Sequence, residues 1–128
     1  MLDENGNICE GRGSNVFMVT GGELWTPQER YVLPGISRQT VIELAEAAGI
    51  VCREKDFDLF DVYNGDEFFI SSTSFCICPV RSLNGALFGD GSVPGPVTKR
   101  LMDAYVDLVG YDWISQYRRY PVTDALRV

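Results

Sequence analysis

The apolar positions of the chain change period twice along its length. At the amino end they fall in short runs broken by glycine pairs. Asn15-Val16-Phe17-Met18-Val19 reads as a buried strand. Asn5-Gly6 and Gly21-Gly22 mark tight hairpin turns around it. Leu24-Trp25-Thr26 reads as the returning strand and stops at Pro27, which has no N–H to offer a ladder. Two hairpins in this stretch predict a β-meander. From Ser37 to Ala48 the pattern turns helical, with Val41, Ile42, Leu44, Ala45 and Ala48 on one stripe. Ser37 occupies the expected N-cap and Gly49 the expected C′ position. Ile50–Glu54 predicts the next strand, and Phe57, Leu59 (or Phe60) and Val62 a short helix or turn. Glu67–Thr73 and Phe75–Val80 are two further strand runs, and Asn84-Gly85 is another hairpin turn before Ala86-Leu87-Phe88. Pro96 opens a second long helix, since proline suits a first turn. Its face is Val97, Leu101, Met102, Tyr105, Leu108 and Val109, and Gly110 ends it. Residues 111–128, with Trp113, Tyr117, Tyr120 and Pro121, carry no clear period and predict an irregular aromatic extension of the domain formed by 1–110. No repeat, low-complexity tract or linker interrupts the chain, so the reading is one α+β domain with mixed strands.

Composition narrows the chemistry. A chain of 128 residues, 45% of them hydrophobic, is an ordinary globular domain able to bury a core without disulfides. Its net charge of -7 opposes binding to nucleic acid, which needs a basic face. No apolar run approaches the roughly 20 residues of a membrane helix. The start, Met1-Leu2-Asp3-Glu4-Asn5-Gly6, is too polar for a secretory signal, so a soluble cytoplasmic protein is expected. Cys9, Cys52, Cys76 and Cys78 form no C-x-x-C pair and there is no histidine, which leaves no usual zinc set. Absence of histidine also excludes Ser-His-Asp and Cys-His nucleophilic sites built from this chain alone. The four cysteines read as buried free thiols, with Cys76 and Cys78 on one face of a strand.

Three loops place small or hydroxyl residues beside a strand or helix end: Glu10-Gly-Arg-Gly-Ser-Asn15, Leu33-Pro-Gly-Ile-Ser-Arg38 and Ser71-Ser-Thr-Ser74. A glycine just before a helix leaves room for an anion, toward which the first free backbone N–H groups point. Ser72, Thr73 and Ser74 offer hydroxyls to complete a phosphate cup. Singly, each is a common turn, cap or solvated loop.

Taken in order, these loops together with Thr26-Pro27, Asp66-Glu67-x-Phe69, Pro79-Val80 and Gly95-Pro96-Val97-Thr98 resemble one family. The chain from about Leu2 to about Val109 is similar to the C-terminal, cofactor-binding domain of class IV pyridoxal-phosphate aminotransferases. That family includes branched-chain amino acid, D-amino acid and R-selective amine transaminases and aminodeoxychorismate lyase. The resemblance implies an α+β mixed-sheet pseudo-barrel with flanking helices and pyridoxal 5′-phosphate as cofactor. It implies that Glu10 pairs with the pyridine nitrogen and keeps it protonated, so that the ring accepts electrons when the substrate Cα–H breaks. Ile36 and Ser37 match the residues whose backbone N–H groups hold the phosphate, and Thr73, with Ser72 beside it, matches its hydroxyl ligand. Leu33 matches a position beside the cofactor ring, with a core leucine as the other explanation. Ser74 falls where the family has a small residue near the substrate. Pro79-Val80-Arg81-Ser82 and Gly95–Arg100 look most like the branched-chain enzymes, while the aromatic tail resembles amine transaminases.

One departure is large. The family holds its cofactor as a Schiff base on a lysine that also shuttles the Cα proton, and that lysine lies upstream of the glutamate motif. The chain has only Lys55 and Lys99, neither at the matching position. No catalytic residue is therefore assigned. The chain reads as the C-terminal part of an aminotransferase, inactive alone, which meets its amino acid or amine substrate with an N-terminal part that is missing here. The alternative is a non-catalytic small-molecule-binding or assembly module on the same scaffold. Its many aromatic residues imply apolar surface, and so a homo-oligomer or a partner chain.

Overall fold

A strand whose every residue is apolar needs cover on both faces, and the apolar run after Asn15 receives it. The computed structural model describes residues 1–119, with side chains as far as Gln116. In chain order its elements are β1 (Glu10–Gly11), β2 (Ser14–Thr20), β3 (Glu23–Thr26), α1 (Ile36–Ala47), β4 (Cys52–Glu54), α2 (Leu59–Tyr63), β5 (Glu67–Ser72), β6 (Cys76–Val80), β7 (Ser82–Leu83), β8 (Ala86–Leu87), α3 (Pro96–Val109) and α4 (Trp113–Arg119). The main sheet runs β4-β3-β2-β5-β6, with β1 added beside β2. All its pairs are antiparallel except β3 with β4, which are parallel and joined through α1. This is the expected α+β architecture with a mixed sheet and flanking helices.

Alternation along the strands separates two cores. Phe17, Val19, Leu24, Phe69 and Ile77 face Val41 and Ala45 of α1, Leu101, Met102 and Tyr105 of α3, and Trp113 of α4. Phe17 and Phe69, opposite each other in β2 and β5, stack with centroids 4.9 Å apart. On the other face Val16, Met18 and Phe68 meet Phe57, Val62 of α2 and Phe88. Val16 to Val19 are therefore all buried.

Several boundaries differ from the sequence expectation. At Asn5-Gly6 the expected turn forms, with the Gly6 N–H bonded to the Asp3 carbonyl at 3.2 Å and Gly6 at φ 86°, but its arms make only one bridge, Leu2 with Ile8. A further tight hairpin, not expected from the sequence, joins β1 to β2 through Arg12-Gly13, with Gly13 at φ 78°. The β7–β8 turn is the expected one, with Asn84 and Gly85 at φ 50° and 84°, as its geometry demands. Ser37 is not the N-cap of α1; Gly35 is, and Ser37 lies buried in the first turn. Residues 111–119 are not irregular, since α4 starts after Asp112, whose carboxylate accepts the Ser115 N–H at 3.0 Å. The rest of the 111–128 extension, including Tyr120 and Pro121, lies outside the described residues. Of the four cysteines only Cys9 is buried, while Cys78 is exposed on the edge strand β6. Cys76 and Cys78 do not share a face as expected: Cys76, at φ 55°, turns to pack on the core of Ile77 and Tyr105, while Cys78 is exposed.

Two carboxylates fix the frame. Glu67 is buried at the start of β5 and accepts the N–H groups of Val97 and Thr98 at 2.9 and 2.8 Å, capping α3 from 30 residues away. Glu23 pairs with Arg53 across β3 and β4 at 2.6 and 2.7 Å. The Arg53 guanidinium, aided by the Trp25 indole, holds the Glu23 carboxyl down to about 2.

We expect Glu67→Ala to cost about 1–3 kcal/mol in urea denaturation, because two helix donors lose their acceptor in a buried setting. Glu23→Gln tests the surface pair. A depressed carboxylate contributes stability above its unfolded value of 4.5 and loses it as pH falls through about 2. The stability gap between wild type and Glu23→Gln is thus present at pH 7 and closes between those two values in pH-resolved unfolding.

Candidate functional site

The register of three strands sets a polar row at one end of the sheet. Glu10 of β1 lies opposite Asn15 of β2, and Asn15 lies opposite Ser71 of β5. Over this row passes the segment Leu33-Pro34-Gly35. Its backbone bends tightly, with the Gly35 N–H bonded to the Leu33 carbonyl at 2.8 Å. The Asn15 amide donates to the same carbonyl at 2.9 Å and to Glu10 Oε2 at 3.3 Å, and the Leu33 N–H donates to Glu10 Oε2 at 2.9 Å. Gly35 must be glycine here: a Cβ on it would lie 2.3 Å from Asn15 Oδ1.

α1 begins where this segment ends. Its N-terminus has no side-chain cap and no acidic residue in the first turn. The first backbone N–H groups of a helix have no acceptor within it, so this end presents unused donors and the positive end of the helix dipole. What holds the turn in place is Arg38, 1% exposed. Its guanidinium reaches the Pro27 carbonyl at 2.9 Å, Glu54 at 2.6 Å and Glu29 at 3.1 Å, tying the first turn to β4 and to the segment after β3.

A cleft of about 480 Å³ opens between these parts, and its walls include Glu10, Leu33, Ile36, Ser37, Ser72 and Thr73. Six residues named from the sequence thus meet around one space. Ser74 does not line it, although its hydroxyl lies 2.8 Å from that of Ser72, which does. Leu33 is no core leucine, being 68% exposed; Pro34 follows it into the loop over the sheet, and its side chain stands with Ile36 on the rim. Asn15, Ser71 and Arg38 stood at the ends of the three loops singled out from the sequence, but none of them was given a role. A lone polar residue opening a buried apolar run was the available signal for Asn15. For Ser71 and Arg38 the neighbouring residues gave no sign of a separate role.

The cleft suits a molecule with an anionic group at one end and a hydrogen-bonding cation at the other. The α1 mouth and the Ser72 and Thr73 hydroxyls form the anionic end. Glu10 forms the other, with Oε1 free of any partner among the described residues. Ser71 Oγ, fully buried in the cleft wall, has no hydrogen-bond partner either. Such an orphaned hydroxyl beside an uncapped helix end fits a phosphate-bearing ligand such as pyridoxal phosphate. Neither lysine lies there: Lys55 Nζ sits 3.6 Å above the Trp25 ring, and Lys99 pairs with Asp103 on α3. The thiols are poor nucleophiles, since burial pushes Cys52 up to about 11.

Comparison with known proteins decides the family. A family model described as amino-transferase class IV matches residues 1–83. The chain belongs to that family. The branched-chain-amino-acid aminotransferase of Escherichia coli strain K12 is 45% identical over 108 residues, which are 84% of this chain and 35% of the relative. A crystal structure of the E. coli enzyme superposes with a TM-score of 0.81 over the same shares of the two chains. An aminotransferase from Brucella abortus, solved bound to the cofactor PLP, is 34% identical with a TM-score of 0.78, covering 85% of this chain and 38% of its own. The class IV chain described here therefore spans about a third of the length of the relatives it matches.

Arg38→Leu tests the anchor of the α1 mouth. We expect a loss of about 1–3 kcal/mol in urea unfolding, less than for a fully buried ion pair because Glu29 and Glu54 stay half exposed. Amide exchange of the first turn of α1 rises more than that of α3.

Proposed function

We propose that the cleft binds pyridoxal 5′-phosphate and that the chain is the cofactor-binding part of an aminotransferase acting on branched-chain amino acids. The observation that carries this reading is the meeting of Glu10, the open N-terminus of α1 and the Ser72-Thr73 hydroxyls around one cleft. In it, the Ile36 and Ser37 N–H groups and the Thr73 and Ser72 hydroxyls hold the phosphate. Glu10 holds a proton at the ring nitrogen, and Leu33 covers the ring from the rim. Ser74, one step beyond the cleft wall, bounds the substrate side. The cofactor, when bound, supplies an electron sink for the pair left as a Cα–H bond breaks. The described residues place no amine on the cleft, so they bind and orient without themselves moving the Cα proton. The branched-chain substrate class rests on the relatives named above.

Other parts of the reading follow from the surface. Tyr31, Leu33 and Ile36 leave apolar side chains exposed near the cleft mouth, which supports association with a second copy or a partner chain. Among the described residues no helix is long and apolar enough to cross a membrane. The proposed setting is the cytoplasm, where the four free cysteines stay reduced. The missing cleft lysine supports a second reading, a binding module that takes a phosphorylated small molecule without turnover.

The experiment is a calorimetric titration of the 128-residue chain with pyridoxamine 5′-phosphate, alongside an assay of amine transfer from leucine to a keto acid. Wild type binds, and Glu10→Gln and Thr73→Val each weaken binding about tenfold, the scale of one hydrogen bond to a charged group. The chain alone transfers no amine. Failure to bind overturns the cofactor site, and amine transfer abolished by Glu10→Ala overturns the claim that these residues only bind and orient.

A further inference from the structure

Glu10 does not stand alone at its end of the cleft. Its Oε2 receives the Leu33 N–H at 2.9 Å and the Asn15 amide at 3.3 Å. Asn15 Nδ2 has two hydrogens, and the second goes to the Leu33 carbonyl at 2.9 Å. Three groups thus close a ring: carboxylate, loop peptide and side-chain amide. Asn15 is buried at 6% exposure, so its rotamer is set by packing and not by solvent. Gly35 backs it, since a Cβ there would lie 2.3 Å from Asn15 Oδ1. With both donors on Oε2, Oε1 is the oxygen left for a ligand.

We infer that Asn15 is a positioning residue for the ring-nitrogen end of the cleft: it pins one carboxylate oxygen of Glu10, and so aims the other. The inference rests on the cofactor reading above and adds to it the residue on which the cation end depends. The chemistry is specific. A leucine of similar size keeps the packing but removes both donors, leaving the carboxylate one tether and freedom to turn. An aspartate replaces the donors with a second negative charge beside Glu10, which drives the two carboxylates apart. Neither change removes an N–H group of the α1 mouth, and any loosening of the loop before it weakens every phosphate-bearing ligand alike.

Two small ligands isolate the interaction. 3-Pyridylmethyl phosphate and benzyl phosphate differ only in one ring atom, nitrogen against CH, and carry the same phosphate. Their affinities are measured by NMR titration at pH 6 for wild type, Asn15→Leu, Asn15→Asp, Gly35→Ala and Thr73→Val. Wild type prefers the pyridyl ligand about tenfold, as expected for one charge-assisted hydrogen bond. Asn15→Leu and Asn15→Asp cut that preference to about twofold or less while benzyl phosphate binds within twofold of wild type. Gly35→Ala, which displaces the amide without altering Asn15, lowers the pyridyl preference in the same way, whatever it does to benzyl phosphate binding at the α1 N-cap, and serves if the Asn15 variants do not fold. Thr73→Val weakens both ligands alike and keeps the preference. An unchanged preference in folded Asn15→Leu or Gly35→Ala overturns the inference. So does an equal loss of both ligands, the signature of a merely structural role. Wild type binding both ligands without preference overturns the aiming of Glu10 but leaves the phosphate end standing. Wild type binding neither overturns the cofactor reading itself, and the inference with it.

Discussion

The first turn of α1 leaves backbone N–H groups without an acceptor, and the surrounding chain holds that turn still without neutralising it. This constraint organises the end of the sheet that carries the cleft. A helix end is normally closed by a nearby hydroxyl or carboxylate. α3 shows the normal solution, with Glu67 bound to its N–H groups and Gly95 leaving space for the carboxylate. α1 has the same glycine start but no such partner. Both helices pack on the same face of the sheet, and their starts lie toward opposite ends of β5, near Glu67 and near Ser71. One end is closed and structural; the other is open and available to a ligand.

Keeping an end open requires that something else fix it. Arg38 does so from behind, through Pro27, Glu29 and Glu54, while Asn15 and Glu10 hold the preceding loop from the front. The core beneath supplies the rigidity. Because β2 is covered on both faces, Asn15 and Glu10 inherit positions set by the Phe17–Phe69 stack and its neighbours. Displacing a helix to reach the open donors would break that packing, so the cleft is a consequence of the fold's stiffest part.

Local chemistry made much of this legible in the sequence. Val16–Val19, the α1 stripe, Pro96 and Gly110 announced strands and helices because burial and backbone geometry act within a few residues. Glu10, Ile36, Ser37, Ser72 and Thr73 were legible only as an ordered series, since each alone is an ordinary turn. The failures share a cause. Ser37 looked like a cap because serine commonly is one, but Gly35 is the N-cap, at a place where only glycine clears Asn15, 20 residues earlier in sequence. Arg38 closed the Leu33–Arg38 loop without a role of its own, and only the fold brings Glu29 and Glu54 around it. Trp113 lacked a helical neighbourhood in sequence, yet it closes the core between the sheet and α3. Long-range contacts, not propensities, set these positions.

On the proposed reading of the cleft, the electrostatics of anion capture are local. A net charge of -7 repels a phosphate at long range, so association gains nothing from the molecule's overall field. What attracts is short-ranged: fixed N–H dipoles at the α1 mouth, effective within about one helical turn. Their effect would be cancelled by bare carboxylates close by, and besides Glu10 at the other end of the cleft, Glu29 and Glu54 stand around Arg38 in the first turn. Arg38, buried between them, neutralises part of that charge while facing away from solvent. The same guanidinium that fixes the helix start therefore also clears its field, and this is why a buried arginine suits the position better than an apolar residue of equal volume. An apolar replacement fills the space and leaves both carboxylates to oppose the ligand.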